Sequence, residues 1–257
     1  MHFILSKNII IITECLLTEI NRKGYIKIRL VKQHQMGFFS KIKNKIKNML
    51  GILDNNNKNG NDISNPFIDS ESIAALSLAC IKLDDKLGLK STGKCGIFVK
   101  SVNSETFKQM KEQVDNFLKI VIDKKNSDFD VTFDSKIDSY GYLWFIIKGK
   151  TIEEIVAVIN AIGDTIHEKG FSRQLLANIF EFSSGYGTNS NGVVNNNQYL
   201  IYNYKLDKFY PFVPFSISSD SKKRDHDQEF KIMKEISDTI KIEENPSSWY
   251  PIWNIPF

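Results

Sequence analysis

The hydrophobic pattern changes period several times along the chain, and each change marks an element. Residues 38–53 are the first patterned stretch. Phe39, Ile42, Ile46, Met49, Leu50 and Leu53 fall within roughly 100° of arc at 3.6 residues per turn, and Phe38 extends the stripe. Lys43 and Lys47 border this arc on one side, Lys41 and Lys45 lie further round on the other, and Asn44 and Asn48 stand opposite. The spacing predicts an amphipathic helix. Lysine stems can lie along apolar matter while the ammonium stays in water, so the stripe suits a membrane surface, a partner helix or the chain's own domain.

A linker follows over residues 54–69. Its polar Asn/Gly run, 54–65, cannot bury enough apolar surface to order itself. Gly185 to Asn197 is equally poor in core residues and reads as a long loop. Beyond the linker the periodicities alternate. Ser70 to Leu87 predicts a helix with Ile73, Leu76, Cys80, Leu83 and Leu87 on one face and Gly88 as its stop. Gly96 to Val102 reads as a short strand. Ser104 to Ile122 predicts a second helix, with Phe107, Met110, Val114, Phe117, Leu118 and Val121 on its inner face.

Phe129 to Phe133 and Tyr140 to Lys148 then read as strands, the second rich in aromatic and β-branched residues. Thr151-Ile152-Glu153-Glu154 is a capping box opening a third helix, buried along Ile155, Val158, Ile159, Ile162 and Ile166 and closed by Gly170. Leu175 to Phe182, Gln198 to Lys205 and Lys208 to Val213 predict three more strands, the last two a hairpin across Leu206-Asp207. Pro211 and Pro214 push the final strand to a sheet edge. A fourth helix is expected over about Arg224 to Ile240, with Asp220 or Ser221 near its cap. Two prolines keep the aromatic ending 249–257 extended. So few strand–helix–strand alternations exclude a doubly wound sheet. The expected class is α+β: an antiparallel sheet of about five to six strands with helices mostly on one face, formed by a single domain over 70–257 and preceded by the amphipathic N-terminal helix.

Charge changes the picture at one end only. The chain has 257 residues and a formal net charge of +4, but residues 1–35 hold six Lys/Arg against two Asp/Glu, leaving 28 of each sign for the rest. Residues 36–257 are therefore neutral. The apolar run Ile9 to Ile12 is far too short for a spanning helix, which needs about 20 residues, and lacks the order of a signal peptide. Met36-Gly37-Phe38-Phe39 reads as a protein's own beginning, with 1–35 as upstream sequence. The competing reading is a basic extension carrying an edge strand at Tyr25 to Val31. Cys15, Cys80 and Cys95 have no CxxC spacing, which supports neither a disulfide framework nor a zinc ribbon and points to the cytoplasm.

Candidate chemistry is thin. His2, His34, His167 and His226 are scattered with no HExxH, so no metal site is expected. His226 and Glu229 read as a solvated pair, and Lys222-Lys223-Arg224 as a solvated loop. No GxSxG is present, and Ser183-Ser184-Gly185 lacks the strand–Ser–helix context of a strained nucleophile. Gly185-Tyr186-Gly187 lacks the Gly-Lys-Ser/Thr of a phosphate loop. Asp84, Asp85, Asp138 and Asp164 have no spacing that pairs them for acid–base work. The expectation is no enzyme, no cofactor and no small-molecule substrate; a hydrolase would need His167 or His226 within hydrogen-bond reach of Ser, Cys or a carboxylate. Tyr199, Tyr202, Tyr204, Phe209, Tyr210 and Phe212 could stack bases, but a neutral domain offers no electropositive groove, so nucleic acid is not expected.

Five aromatic strings carry a resemblance: Asp138-Ser139-Tyr140-Gly141-Tyr142-Leu143-Trp144, Gly170-Phe171-Ser172-Arg173-Gln174-Leu175-Leu176, Tyr199-Leu200-Ile201-Tyr202-Asn203-Tyr204-Lys205, Phe209-Tyr210-Pro211-Phe212-Val213-Pro214 and Trp249-Tyr250-Pro251-Ile252-Trp253. In this order they resemble the PspA-associated protein PspAB family of archaea and actinobacteria, which also tends to begin with a Met-Gly-hydrophobic stretch like Met36 to Leu53. The resemblance implies a non-enzymatic accessory of a phage-shock type envelope-stress system, with a PspA-like protein as partner. It would be cytoplasmic, or peripheral to the inner face of the membrane. The alternative is a chaperone or regulator of a stress-linked membrane protease. The element order is also similar to the YbjN and type III secretion chaperone group, an analogy of fold alone. It suggests a partner surface built from Tyr202, Tyr204, Phe209, Tyr210, Phe212, Trp249, Tyr250 and Trp253.

Overall fold

The structure, a computed structural model, describes residues 70–122, 130–184, 197–215 and 222–257. Its first element is α1, Ser70–Leu87, ending where Gly88 N donates to Asp84 O at 3.0 Å. The strand β1 follows at Leu89–Lys100, then α2 at Glu105–Ile122, whose opening turn is capped by Ser104 Oγ accepting from Phe107 N. A hairpin of β2, Val131–Ile137, and β3, Tyr142–Gly149, leads to α3 at Ile152–Glu168.

Local chemistry sets both ends of α3. Thr151 Oγ1 accepts from Glu154 N at 3.2 Å at the start. At the end Phe171 N donates to Ile166 O and Gly170 N to His167 O, a Schellman motif that requires the left-handed φ of +80° held by Gly170. The turn Ser172–Gln174 then feeds β4 at Leu175–Ser184, followed by β5 at Asn197–Asn203 and β6 at Lys208–Phe212. The short pair β7, Pro214–Phe215, and β8, Lys223–Arg224, precedes α4 at His226–Ile236.

The six long strands form one antiparallel sheet in the order β2-β3-β1-β4-β5-β6. Pro211 does fall on the edge strand β6, where a missing N–H costs no ladder bond. The segment after α4 covers part of that edge, with Phe209 N donating to Lys241 O and Glu243 N to Phe209 O.

Strand alternation sorts the core into two layers. Cys95, Ile97, Val99, Leu143, Phe145, Ile147, Phe180, Phe182 and Leu200 pack in one cluster with the helices' buried residues, among them Leu76, Phe107, Met110, Ile159, Ile162 and Ile232. On the opposite face Trp144, Ile146, Ala177, Ile179, Tyr199, Ile201, Tyr210 and Phe212 are covered by the C-terminal tail, through Trp249, Ile252, Trp253, Ile255 and Phe257. The domain is α+β, with helices on one face and an extended tail on the other.

Several expectations are corrected. The strand expected at 96–102 begins at Leu89, because its polar first half is held by pairing with the end of β4 rather than by hydrophobic pattern. Its other neighbour is β3, the hairpin β2–β3 lies two residues later than expected at its start, and the β5–β6 turn spans four residues, 204–207. The last helix starts at His226, capped by Asp225 Oδ1 accepting from Gln228 N, and ends at Ile236. The amphipathic segment with Phe38, Phe39, Lys41, Ile42, Lys43, Lys45, Ile46, Lys47, Met49 and Leu50 lies outside the described residues. Among those described, no helix is long and apolar enough to cross a membrane.

Candidate functional site

A half-open cleft of about 780 Å³ lies at one end of the tail-covered face. Its walls come from four separate places. The first is the β2–β3 turn, which Asp138 organises: one carboxylate oxygen accepts from Tyr140 N and Tyr142 N, both at 2.9 Å, and the other from Trp144 Nε1 at 2.9 Å. That bond orients the buried indole, which lies against Phe98 with centroids 4.5 Å apart. Tyr140 is left 67% exposed at the rim.

The second wall is the turn after α3. Its Schellman motif throws Ser172 and Arg173 out towards the cleft, and Phe171 anchors the turn edge-on to Phe107 at 5.2 Å. The third is the β5–β6 turn. Asn203 Oδ1 accepts from Lys205 N and Leu206 N, while Tyr202 OH donates to Asp207 Oδ1, so Lys205 points outward from a pinned loop. The fourth is the tail, fixed by Tyr210 OH donating to Tyr250 O at 3.0 Å and by Trp253 edge-on to Phe212 at 5.1 Å. Tyr250 itself is 61% exposed.

A buried ion pair locks the tail in place. Arg224 Nε donates to Glu229 Oε1 at 2.9 Å and Arg224 Nη1 to Trp249 O at 2.7 Å, with the guanidinium 5.4 Å over Phe212. Val213 N and His226 Nδ1 complete the Glu229 carboxylate's partners. Glu229 is fully buried, so neither the solvated His226–Glu229 pair nor the solvated loop at Arg224 holds. The sequence pattern missed it because a charged residue gives no hydrophobic signal when its burial is paid back by partners from Val213, Arg224 and His226.

Of the partner surface expected from sequence, Tyr202, Phe209, Tyr210, Phe212 and Trp249 are buried in the domain itself. Tyr204 and Trp253 are half-buried, and Tyr250 is the exposed member. Tyr204, Tyr210, Tyr250 and Trp253 meet in the cleft. Phe98, Arg173 and Lys222 join them without having been singled out as partner residues. Only Arg173 carried a signal, by standing inside one of the aromatic strings.

Burial pushes the Tyr204 and Tyr210 hydroxyls well above the ordinary tyrosine range. Burial likewise raises the Cys80 thiol to about 12, with Glu153 adding to it, and the Cys95 thiol well above its ordinary value. Among the described residues no group of three His, Cys, Asp or Glu side chains is arranged to hold a metal ion. His167 Nδ1 lies 2.6 Å from Ser172 Oγ, however, and Ser172 lines the cleft. This is the nucleophile–base contact a hydrolase would need, made locally across the end of α3.

The fold and site define an α+β protein with an aromatic cleft, closed on one side by its own C-terminal tail. The family model described as PspA associated protein B matches residues 50–257, and the chain belongs to that family. The family's description names association with a PspA protein. No curated protein and no solved structure matches the chain.

Proposed function

We propose that this protein is a non-enzymatic adaptor of a PspA-type envelope-stress response, and that the cleft is where it docks on its PspA protein. One observation carries the reading. Strings scattered from Asp138 to Trp253 all contribute to the same cleft, and they leave Tyr140 and Tyr250 exposed at its rim. Large aromatics beside a packed floor are the anchors on which protein interfaces concentrate binding energy. The reading is non-enzymatic because burial pushes both described thiols up, away from the reactive thiolate, and the His167–Ser172 bond ties a helix end to the turn that follows it.

The test is reciprocal capture of the full chain and the PspA protein of the same cell. Replacing Tyr140 and Tyr250 together by Ser should abolish capture without moving the melting temperature, since both side chains are exposed. Undiminished capture by the double variant would overturn the cleft as docking site; no capture by the unaltered chain would overturn the adaptor reading.

A further inference from the structure

We infer that the cleft takes an acidic amphipathic segment of a protein partner, its apolar stripe against the floor and its carboxylates at the rim. The inference rests on the cleft being a docking surface, as proposed above. The floor is apolar and held rigid: Trp144 is fixed by Asp138 and by Phe98, and Leu175, Ala177 and Tyr210 are buried beside it. The rim is cationic. Arg173, Lys205 and Lys222 are exposed, and among the described residues none of the three has an ion-pair partner. Among the described residues Asp138 is the one carboxylate lining the cleft, and its oxygens accept from Tyr140 N, Tyr142 N and Trp144 Nε1. Three cations against one carboxylate leave the lining net positive, and complementary charge selects the partner and speeds its arrival.

Other occupants fit less well. The chain's own residues 36–50 have an apolar stripe but four lysines and no acid, so the rim repels them. A bilayer surface cannot follow a concave cleft. A single-stranded nucleic acid needs a continuous electropositive track, whereas residues 36–257 are neutral overall.

Binding can be read from tryptophan emission, because Trp144 and Trp253 line the cleft. The probes are a synthetic helical peptide with a Leu/Phe stripe and Glu on its polar face, its Glu-to-Gln and Glu-to-Lys counterparts, phosphatidylglycerol vesicles and an oligothymidine strand. The full chain should bind the Glu peptide, the Gln peptide roughly tenfold more weakly and the Lys peptide least, with high salt erasing the difference. Arg173→Glu, Lys205→Glu and Lys222→Glu together should weaken the Glu peptide roughly tenfold and favour the Lys peptide, with no change in melting temperature. Equal binding of Glu and Gln peptides, an unaffected triple variant, or a response to vesicles or oligothymidine alone would overturn the inference. Loss of PspA capture in the Tyr140/Tyr250 variant, together with full capture by the triple charge variant, would remove the acidic-segment inference and leave the docking site standing.

Discussion

Arg224 donates from Nε to the Glu229 carboxylate at 2.9 Å, and Glu229 has no exposed surface. The same guanidinium holds Trp249 O, so one buried pair ties α4, the β7–β8 corner and the C-terminal tail together. Removing one partner leaves the other charge buried and unopposed, at a cost of about 3–5 kcal/mol. Arg224→Met should lower stability to urea by about 3 kcal/mol or more. Adding Glu229→Leu should recover a good part of the loss. A loss under 1 kcal/mol in the single variant would show that the pair does not hold the tail.

Gly96 leaves room for Phe257. A Cβ at position 96 would stand 2.4 Å from the Phe257 ring and 3.1 Å from Trp144. Gly96→Ala should therefore displace Phe257 and cost about 1–3 kcal/mol. The Phe257→Ala background should make Gly96→Ala nearly neutral in a double-mutant cycle of urea unfolding. An additive pair would break the proposed contact.

Trp249 is the tail's main anchor, 2% exposed, with its Nε1 donating to Glu243 O at 2.8 Å. Trp249→Ala should cost about 3–5 kcal/mol, roughly 10 °C in melting temperature for a domain of this size. Deleting residues 249–257 should cost more, because Tyr210, Phe212 and Ile201 would lose their cover. An unchanged melting temperature after the deletion would mean that the tail serves a partner and not the fold.

Alkali should unfold the domain through its tyrosines. Burial pushes the Tyr199 hydroxyl up to about 12, with Glu181 adding to the shift, and raises Tyr204 and Tyr210 further. The folded state favours the protonated phenol, while the unfolded chain ionises near its ordinary value of 10.0. Stability is thus intact below pH 10 and falls as pH rises through the folded values. At about 1.4 kcal/mol per pH unit, Tyr199 alone should remove on the order of 2 kcal/mol. Phenolate absorbance and circular dichroism followed together should show these tyrosines ionising with unfolding, and Tyr199→Phe should make the loss with pH less steep. Ionisation of every tyrosine before any loss of structure would contradict their burial.

The His167–Ser172 contact gives the non-enzymatic reading a direct check. Hydrolysis of nitrophenyl esters by the full chain should equal the buffer rate, and Ser172→Ala should leave it there while costing about 1 kcal/mol of stability through the lost hydrogen bond. Ester hydrolysis that disappears in Ser172→Ala would establish a nucleophile in the cleft.

Helix periodicity reports contacts three and four residues apart, and it placed α1 at its observed ends and α3 with its buried face Ile155, Val158, Ile159, Ile162 and Ile166. Caps at Thr151 and Gly170 were equally legible, being satisfied within one turn of backbone. The edge position of β6 followed from Pro211, a property of one residue. Legibility stopped where a residue's surroundings come from distant chain. Tyr202, Phe209 and Phe212 read as a surface because aromatic strings look alike exposed or buried; the helices claim one sheet face and the tail the other, and so put them inside. Glu229 and Arg224 read as solvated because charge normally prefers water. Their burial is tolerable only once Val213, His226 and Trp249 are folded around them. Arg173, Lys205 and Lys222 are unremarkable one by one, and they form a cationic rim only because three separate connections meet at one end of the sheet.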